Sequence, residues 1–306
     1  MPDAANQSRR KSVKIFIALM RNVSIITFTF LFTCFVNEYG LINTLTTSSF
    51  SQSFLTLQST PLPKTKHKLV VIAHRGSHLK VPENTLAAYE NAIKEGADYV
   101  EIDLRTTKDG HLIIMHDESV TRMTGKKGLV KDLNYSEIKD LKLNPNRKED
   151  TTTYRIPEFT SVLNLCKGRI NIYLDFKDAD VPKTYSLIKQ AGMQNNVVIY
   201  LNKEEQYGQW KNVTPQVPLM ASLPDNMNIS QLKNLLDKTP LEVVDNAYDN
   251  EKLNLMHKMK IAVWLDVQSK DEGPEKWGQA LKQGVDGLQT DHPEKLVRYL
   301  EGQGVR

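Results

Sequence analysis

The chain has 306 residues, of which 40% are hydrophobic and 25% charged, with 40 Lys and Arg against 36 Asp and Glu. That composition is globular and the length suits one large α/β domain or two small ones, while Cys34 and Cys166 as the only cysteines exclude a disulfide framework. The net charge of +4 is mild, and Arg9, Arg10, Lys11, Lys14 and Arg21 gather before the first apolar run, so the rest is near neutral and carries no basic stripe for nucleic acid.

The first predicted element is an address. Val23 to Val36 reads VSIITFTFLFTCFV, an uncharged run behind basic residues. It is short for a membrane span of ~20 residues and fits the apolar region of an export signal. Met20 opens a tidy version of the same signal and is an alternative start. Cleavage before Gln52, lipidation at Cys34 and retention as an anchor are three outcomes the sequence leaves open. A Ser/Thr/Gln-rich stretch, Thr46 to Thr60, then reads as a tether ahead of Pro61 and Pro63. Residues 1–60 are thus expected to be signal or anchor plus tether, residues 61–306 the folded domain, and the protein exported, touching a membrane only through residues 23–36.

From Lys68 onward short apolar runs alternate with amphipathic stretches. Predicted strands cover 69–73, 99–104, 112–116, 171–176, 197–201, 219–223, 241–245, 262–267 and 287–290; they are rich in Val and Ile and mostly apolar on both faces, as buried parallel strands are. Asn84 or Thr85 is placed to cap a helix running to Lys94, with Gly96 as its stop. Cys166 falls on a helix as an inert buried thiol. Pro182 suits a first helical turn, and Asn202 with Glu205 resembles a capping pair. About eight such alternations predict a (β/α)8 TIM-type barrel. A doubly wound sheet is the alternative, without a Gly-rich dinucleotide loop to support it.

One junction breaks the pattern. Arg105 to His111 is too short for a crossover helix and contains Asp109-Gly110, a hairpin signal. The expectation is therefore a β-hairpin inserted after the second strand. With Asp109 and Gly110 as the two turn residues, Asp103 faces His116; with a turn one residue earlier, Glu101 does.

The chemistry-bearing residues stand at the ends of successive strands, where barrel active sites lie. His74-Arg75-Gly76 ends the first strand and suits proton transfer beside an anion. Glu101 and Asp103, two apart, share a face on the second strand and would repel without a neutralising cation. His116 ends the hairpin arm. Asp175 and Lys177 end the next strand, as a third carboxylate ligand and a cation for the substrate's charge. Three carboxylates for one hard divalent ion, two histidines for acid and base, and Arg75 with Lys177 for an anion indicate phosphoryl chemistry.

The segment AHRGSHLKVPENTLAAYENAIKEGADYVEIDLRTTKDGHLIIMHDESVTRMTG (73–125) carries H-R-G, P-E-N-T, E-x-D, T-x-D-G and H-D in order. It strongly resembles the glycerophosphodiester phosphodiesterase family, and the likeness continues thinly through RIPEFTSVLNLC, YLDFKD and GVDGLQTDHPEKL to Leu296. The resemblance implies a phospholipase-C-like barrel, His74 and His116 as the catalytic pair, Glu101 and Asp103 as metal ligands, Arg75 on the phosphate, and Ca2+ or Mg2+ as the ion. It implies hydrolysis of small glycerophosphodiesters to glycerol 3-phosphate and an alcohol. Two departures stand out: Asp175 replaces the family's usual Glu, and Trp264-Leu265-Asp266-Val267 replaces its usual W-T-V-N. Glu83 and Trp264 are candidates to line the pocket, with core packing the alternative for Trp264. A sphingomyelinase-D- or lysophospholipase-D-like lipid phosphodiesterase and a non-catalytic phosphate- or lipid-binding module are the competing readings.

Overall fold

The Val- and Ile-rich runs pair into a nine-stranded sheet in a computed structural model that describes residues 60–306. The predicted address, Cys34 and the predicted tether up to residue 59 lie outside the described residues. The strands are β1 (Val70–Ala73), β2 (Tyr99–Thr106), β3 (Leu112–Ile114), β4 (Asn171–Phe176), β5 (Val197–Leu201), β6 (Leu219–Ala221), β7 (Val243–Val244), β8 (Ala262–Asp266) and β9 (Gly287–Thr290). All but β3 run parallel, in the order β1-β9-β8-β7-β6-β5-β4-β2, and β1 pairs β2 to close the circle. Each barrel strand leads to a helix: α1 (Leu86–Lys94), α2 (Phe159–Cys166), α3 (Val181–Ala191), α4 (Glu204–Val213), α5 (Ile229–Lys238), α6 (Asn250–Lys258), α7 (Pro274–Gln283) and α8 (Pro293–Gly302). This is the expected (β/α)8 barrel. No helix among the described residues is long and apolar enough to cross a membrane.

Strand alternation divides the side chains into two populations. Val100, Ile102 and Leu104 of β2, with Ile172, Leu174 and Phe176 of β4, pack outward against α1, α2 and α3. Val70, Ile72, Tyr99, Tyr173, Val198, Met220, Val243 and Trp264 point inward and fill the barrel. Period-two alternation then fixes the later residues of the inward face. Continuing up β2 from Tyr99 gives Glu101 and Asp103, and up β4 from Tyr173 gives Asp175. The apolar plug therefore ends where the carboxylates begin. Residues before β1 close the other end: the Tyr99 hydroxyl donates to the Pro63 carbonyl (3.2 Å) and Asn171 to that of Lys64 (3.0 Å).

The hairpin arm is present, with a register that differs from both expectations. Leu104 pairs Ile114, Arg105 pairs Ile113 and Thr106 pairs Leu112. The loop holds three residues, Lys108, Asp109 and Gly110, and is closed by Thr107 N–H donating to His111 O at 2.9 Å. Gly110 takes the left-handed conformation (φ +81°), the three-residue form of hairpin loop. Asp103 therefore lies across from Met115, whose N–H donates to its carbonyl (2.9 Å), and His116 is one residue further out. From β3 the chain builds a separate small core of Ile113, Met115, Val120, Met123, Val130, Ile138, Leu143 and Ile156 over this side of the mouth.

Local capping also resolves. Thr85 caps α1, its hydroxyl accepting from Ala88 N–H at 3.2 Å, and frees Asn84 for other work. At α4 it is Gln206, not Glu205, that reaches back to Asn202 and Lys203 N–H. Pro182 sits in the first turn of α3 as expected. Cys166 is buried on α2, and burial pushes its thiol up to about 12, so it is inert.

Gly76 shows why the first loop reads H-R-G. Its φ is +79°, and a Cβ there would stand 2.7 Å from the Ala88 carbonyl carbon of α1. Gly76→Ala combines left-handed strain of about 1–2 kcal/mol with overpacking of about 1–3 kcal/mol. Its unfolding free energy in urea is expected to fall by roughly 2–5 kcal/mol.

Candidate active site

The end of β1 turns sharply. His74 N–H still continues the sheet by donating to Thr290 O (3.0 Å), but Arg75 and Gly76 both take positive φ. That turn aims the Arg75 backbone N–H at Glu101 Oε2, 2.7 Å away. His74 is mostly buried, and its Nδ1 lies 2.7 Å from Asp291 Oδ1, just past β9. With Nδ1–H donated to that carboxylate, Nε2 is left as the reactive nitrogen. Burial, with help from the Arg75 charge, holds His74 below its ordinary pKa although the Asp291 hydrogen bond opposes the shift. His74 is therefore neutral at neutral pH, the form that can accept a proton.

Three carboxylates converge beside it. Ligand oxygens of Glu101, Asp103 and Asp175 lie within 4.8 Å of one another. Each is held in place by a neighbour. Asn84, in the left-handed region at φ +57°, donates to Asp103 Oδ2 (2.8 Å) and accepts from the buried Tyr89 hydroxyl (2.8 Å). Asn202 donates to Asp175 Oδ1. Lys177 hydrogen-bonds Asp175 and stands 3.0 Å from Asp103 Oδ1. Arg75 Nε is 3.6 Å from Asp103 Oδ2.

The electrostatics of the trio are those of a cation site. Burial, then the charges of Asp103 and Asp175, push the Glu101 carboxyl well above the usual range. Burial acts the same way on Asp103, but Lys177, His116 and Arg75 outweigh it and hold that carboxyl well below the usual range. Asp103 Oδ1 is buried without a hydrogen bond. Three carboxylates gathered this closely, facing Lys177 and Arg75, are the donor set of a hard divalent ion such as Ca2+ or Mg2+, and Glu101, Asp103 and Asp175 are the residues that would hold it.

The second imidazole arrives from the hairpin arm. Arg105 fixes the backbone there, its Nε and Nη2 donating to His116 O at 3.0 and 2.7 Å. His116 Nδ1 lies 2.9 Å from Asp117 Oδ1. Asp117 pairs with Arg122 (2.7 Å), Arg122 with Glu83 (2.7 Å), and Glu83 with Arg75 (3.1 Å). Both histidines thus have an aspartate behind Nδ1. The charge of Asp103 is felt at His74, and that of His116 at Asp103.

The predicted site residues are brought to one end of the barrel, with Trp264 as the exception. Glu83 and His116 line one small cleft with Asn84 and Met123. Trp264 is 2% exposed and lies inside the barrel against Tyr99, ring centroids 4.8 Å apart. It fills the space beside Gly287, whose added Cβ would stand 2.7 Å from the indole. The residue of that strand at the mouth is Asp266. Lys177 and Arg75, expected on a substrate anion, are engaged here by the site's own acids.

Sequence reasoning missed Asp291, Asn84 and Asn202 as functional. Asp291 had a signal, since it immediately follows the last strand in Thr290-Asp291-His292 and mirrors the His-Asp pair of the arm. Asp291→Asn is expected to release the tautomer of His74 and lower kcat by about 10²-fold or more. It also removes an influence that raises the His74 pKa, so the acid limb of the kcat/KM profile moves to lower pH. A rate profile from pH 4 to 9 for both proteins checks this.

Comparison with known proteins points the same way. The sequence profile of the Glycerophosphoryl diester phosphodiesterase family matches residues 74–216. A glycerophosphodiester phosphodiesterase of Caldanaerobacter subterraneus subsp. tengcongensis is 30% identical over 250 residues, covering 78% of this chain and 100% of that relative. A glycerophosphodiester phosphodiesterase of Bacillus subtilis is 32% identical over 266 residues, covering 77% of this chain and 87% of that one. Among solved structures, a glycerophosphodiester phosphodiesterase of Agrobacterium tumefaciens superimposes with a TM-score of 0.67 at 23% identity, covering 75% of this chain and 99% of that one. A phosphodiesterase of Oleispira antarctica, solved with its product sn-glycerol 3-phosphate, gives 0.66 at 22% identity, covering 76% and 96%.

Proposed function

The chain belongs to the glycerophosphoryl diester phosphodiesterase family, and from that premise we propose that it hydrolyses small glycerophosphodiesters to glycerol 3-phosphate and an alcohol, with one divalent cation and two histidines. The observation that carries this reading is the placement of Asp103: it belongs to the carboxylate trio, its charge is felt at His74, and that of His116 is felt at it. A binding module needs an anion cradle; it has no use for two histidines each backed by an aspartate.

Glu101, Asp103 and Asp175 would hold a hard cation, which would supply positive charge at the phosphoryl group and acidify a nearby hydroxyl. The protein's own groups do the rest. Neutral His74 takes the proton of the glycerol 2-hydroxyl at Nε2, and Asp291 stabilises the imidazolium that results. The alkoxide attacks phosphorus. His116, backed by Asp117, gives a proton from Nε2 to the departing alcohol oxygen. Water then opens the cyclic phosphate with the two roles exchanged. Arg75 and Lys177 are the cations within the site that would bind the phosphate.

The test is a product assay. Glycerol 3-phosphate release is expected from diesters such as glycerophosphoethanolamine in Mg2+ or Ca2+ and not in chelator. Release of lysophosphatidate from lysolipids, with no glycerol 3-phosphate from water-soluble diesters, would reject the reading. We also propose export, supported by the apolar run at residues 23–36 behind its basic residues; fractionation of cells producing the full chain tests it.

A further inference from the structure

The two imidazoles reach the site on different supports. His74 stands where β1 still belongs to the barrel sheet. His116 stands on the arm, beyond the last residue of β3, with its ring a third exposed. Arg105 fixes its backbone carbonyl, and Asp117 meets its Nδ1 at 2.9 Å. That aspartate is the next residue of the same loop, so it holds the ring only as firmly as it is itself held. Among the described residues, the other partner of the Asp117 carboxylate is Arg122, whose Nε donates to Oδ2 at 2.7 Å and whose Nη2 donates to Oδ1 at 3.1 Å.

Arg122 is anchored on two sides. Its helical turn, Thr121–Thr124, is rooted in the arm's own core by Met123, and its backbone carbonyl accepts from Asn144 Nδ2 at 3.2 Å. The other edge of its guanidinium faces Glu83, with Nη2 donating to Oε1 at 2.7 Å and Nη1 to Oε2 at 3.3 Å. Glu83 belongs to the loop between β1 and α1, and its Oε1 also accepts from Arg75 Nη1 at 3.1 Å. One planar fork of N–H donors thus spans two carboxylates on two segments of chain, which the point charge of a lysine ammonium does not reproduce. The bridge Arg75–Glu83–Arg122–Asp117–His116 joins the cation at the end of β1 to the imidazole on the arm. Asn146 adds a second tie between the same two segments, donating to His78 O (2.6 Å) and Val81 O (2.8 Å).

We propose that Arg122 is a positioning residue: locked against Glu83, it holds Asp117 and through it keeps His116 Nε2 turned toward the departing alcohol oxygen. The inference rests on the phosphodiesterase reading and on His116 as its acid. It assigns Arg122 and Glu83 to the expulsion of the alcohol, and not to recognition of the head group. Arg122 is half exposed, and an exposed ion pair adds little to stability, so its work lies in the geometry of proton transfer and not in folding the arm.

The test uses the leaving group. An aliphatic alkoxide needs a proton in order to depart; p-nitrophenolate, far less basic, does not. kcat/KM for alcohol release is measured on glycerophosphoethanolamine and on the p-nitrophenyl ester of glycerol 3-phosphate. The proteins are wild type, Arg122→Gln, Arg122→Lys and His116→Ala, each checked for folding by its thermal transition. A misplacement of about 1 Å costs on the order of 10²-fold. Both Arg122 variants are therefore expected to lose about tenfold to 10²-fold on the ethanolamine diester and to stay near wild type on the p-nitrophenyl diester, the one-sided pattern of His116→Ala. Arg122→Lys keeps the charge and loses the fork, so it is expected to fall with Arg122→Gln, and it carries the test alone if Arg122→Gln does not fold. Equal losses on the two diesters mark a structural role and overturn the proposal, as does a normal ethanolamine rate in both variants. Added to His116→Ala, Arg122→Gln is expected to change nothing on the p-nitrophenyl diester, because it acts through that ring; a further loss overturns the proposal. A wild type that cleaves neither diester removes the phosphodiesterase reading and this inference with it, whereas a wild type that cleaves both leaves the contrast between them to judge Arg122 alone.

Discussion

His74→Ala and His116→Ala are each expected to lower kcat on a glycerophosphodiester by at least about 10²-fold, and by up to about 10⁴-fold, with the barrel still folded. The range is what one positioned acid or base contributes. The two losses should not add. Once either proton relay is missing the other has no coupled step to serve, so the double variant is expected close to the worse single one. Structural damage should be small, because both rings stand at the mouth above the apolar plug. His74 exchanges one hydrogen bond with Asp291, and His116 is a third exposed with its backbone fixed independently by Arg105. Matching thermal transitions together with near-normal turnover in either variant would remove the histidine from the mechanism. A large loss in His74→Ala with a normal rate in His116→Ala would instead leave water or Lys177 as the acid.

How much of the molecule is legible in its sequence depends on where each signal lives. Strand positions are legible because eight buried parallel strands must each be apolar, and LVVIA or VVIYL has no other use in a packed barrel. The convergence of Glu101, Asp103 and Asp175 comes from alternation alone, because residues two apart on β2 share a face and β4 is its parallel neighbour. The hairpin register does not. Asp109-Gly110 marks a turn, but Gly110 in the left-handed position serves a two-residue loop or a three-residue one equally well, and the choice moves His116 by a residue. Asn84 is hidden by a good rival explanation, since an Asn-Thr pair before an amphipathic run reads as a cap. The structure divides the labour, giving the cap to Thr85 and spending Asn84 on Asp103. Trp264 is ambiguous because a single strand position does not say how deep in the barrel it lies. Depth is set by the stagger between strands, and Gly287 opposite Trp264 places it in the packed interior.

Glu101→Gln separates the metal site from the fold more sharply than removal of the ion does. Glu101 is buried beside two other acids, and in the ion-free protein its ionised form is disfavoured; its carboxyl is pushed up first by burial and then by Asp103 and Asp175. A carboxyl raised in the folded state costs stability as pH climbs through the ordinary carboxylate range and beyond. The amide relieves that cost, and its Oε1 can still accept the Arg75 N–H that Glu101 accepts at 2.7 Å. Ion-free Glu101→Gln is therefore expected to melt a few degrees higher than ion-free wild type at pH 7.5, with the gain vanishing near pH 4. Saturating cation reverses the order. At a hundred times its dissociation constant a ligand stabilises the folded state by about 2.7 kcal/mol. For a barrel of this size that is roughly 5–10 °C, which wild type should show and Glu101→Gln should lose along with most of its turnover. Chelator should silence wild type reversibly, and comparing Mg2+ with Ca2+ in the add-back identifies the ion that restores both the melting shift and the rate. If the cation raises the two melting temperatures equally, the ion sits elsewhere. The carboxylate trio is then held together by Lys177 and Arg75 as structure alone, and the phosphodiesterase chemistry must run without it.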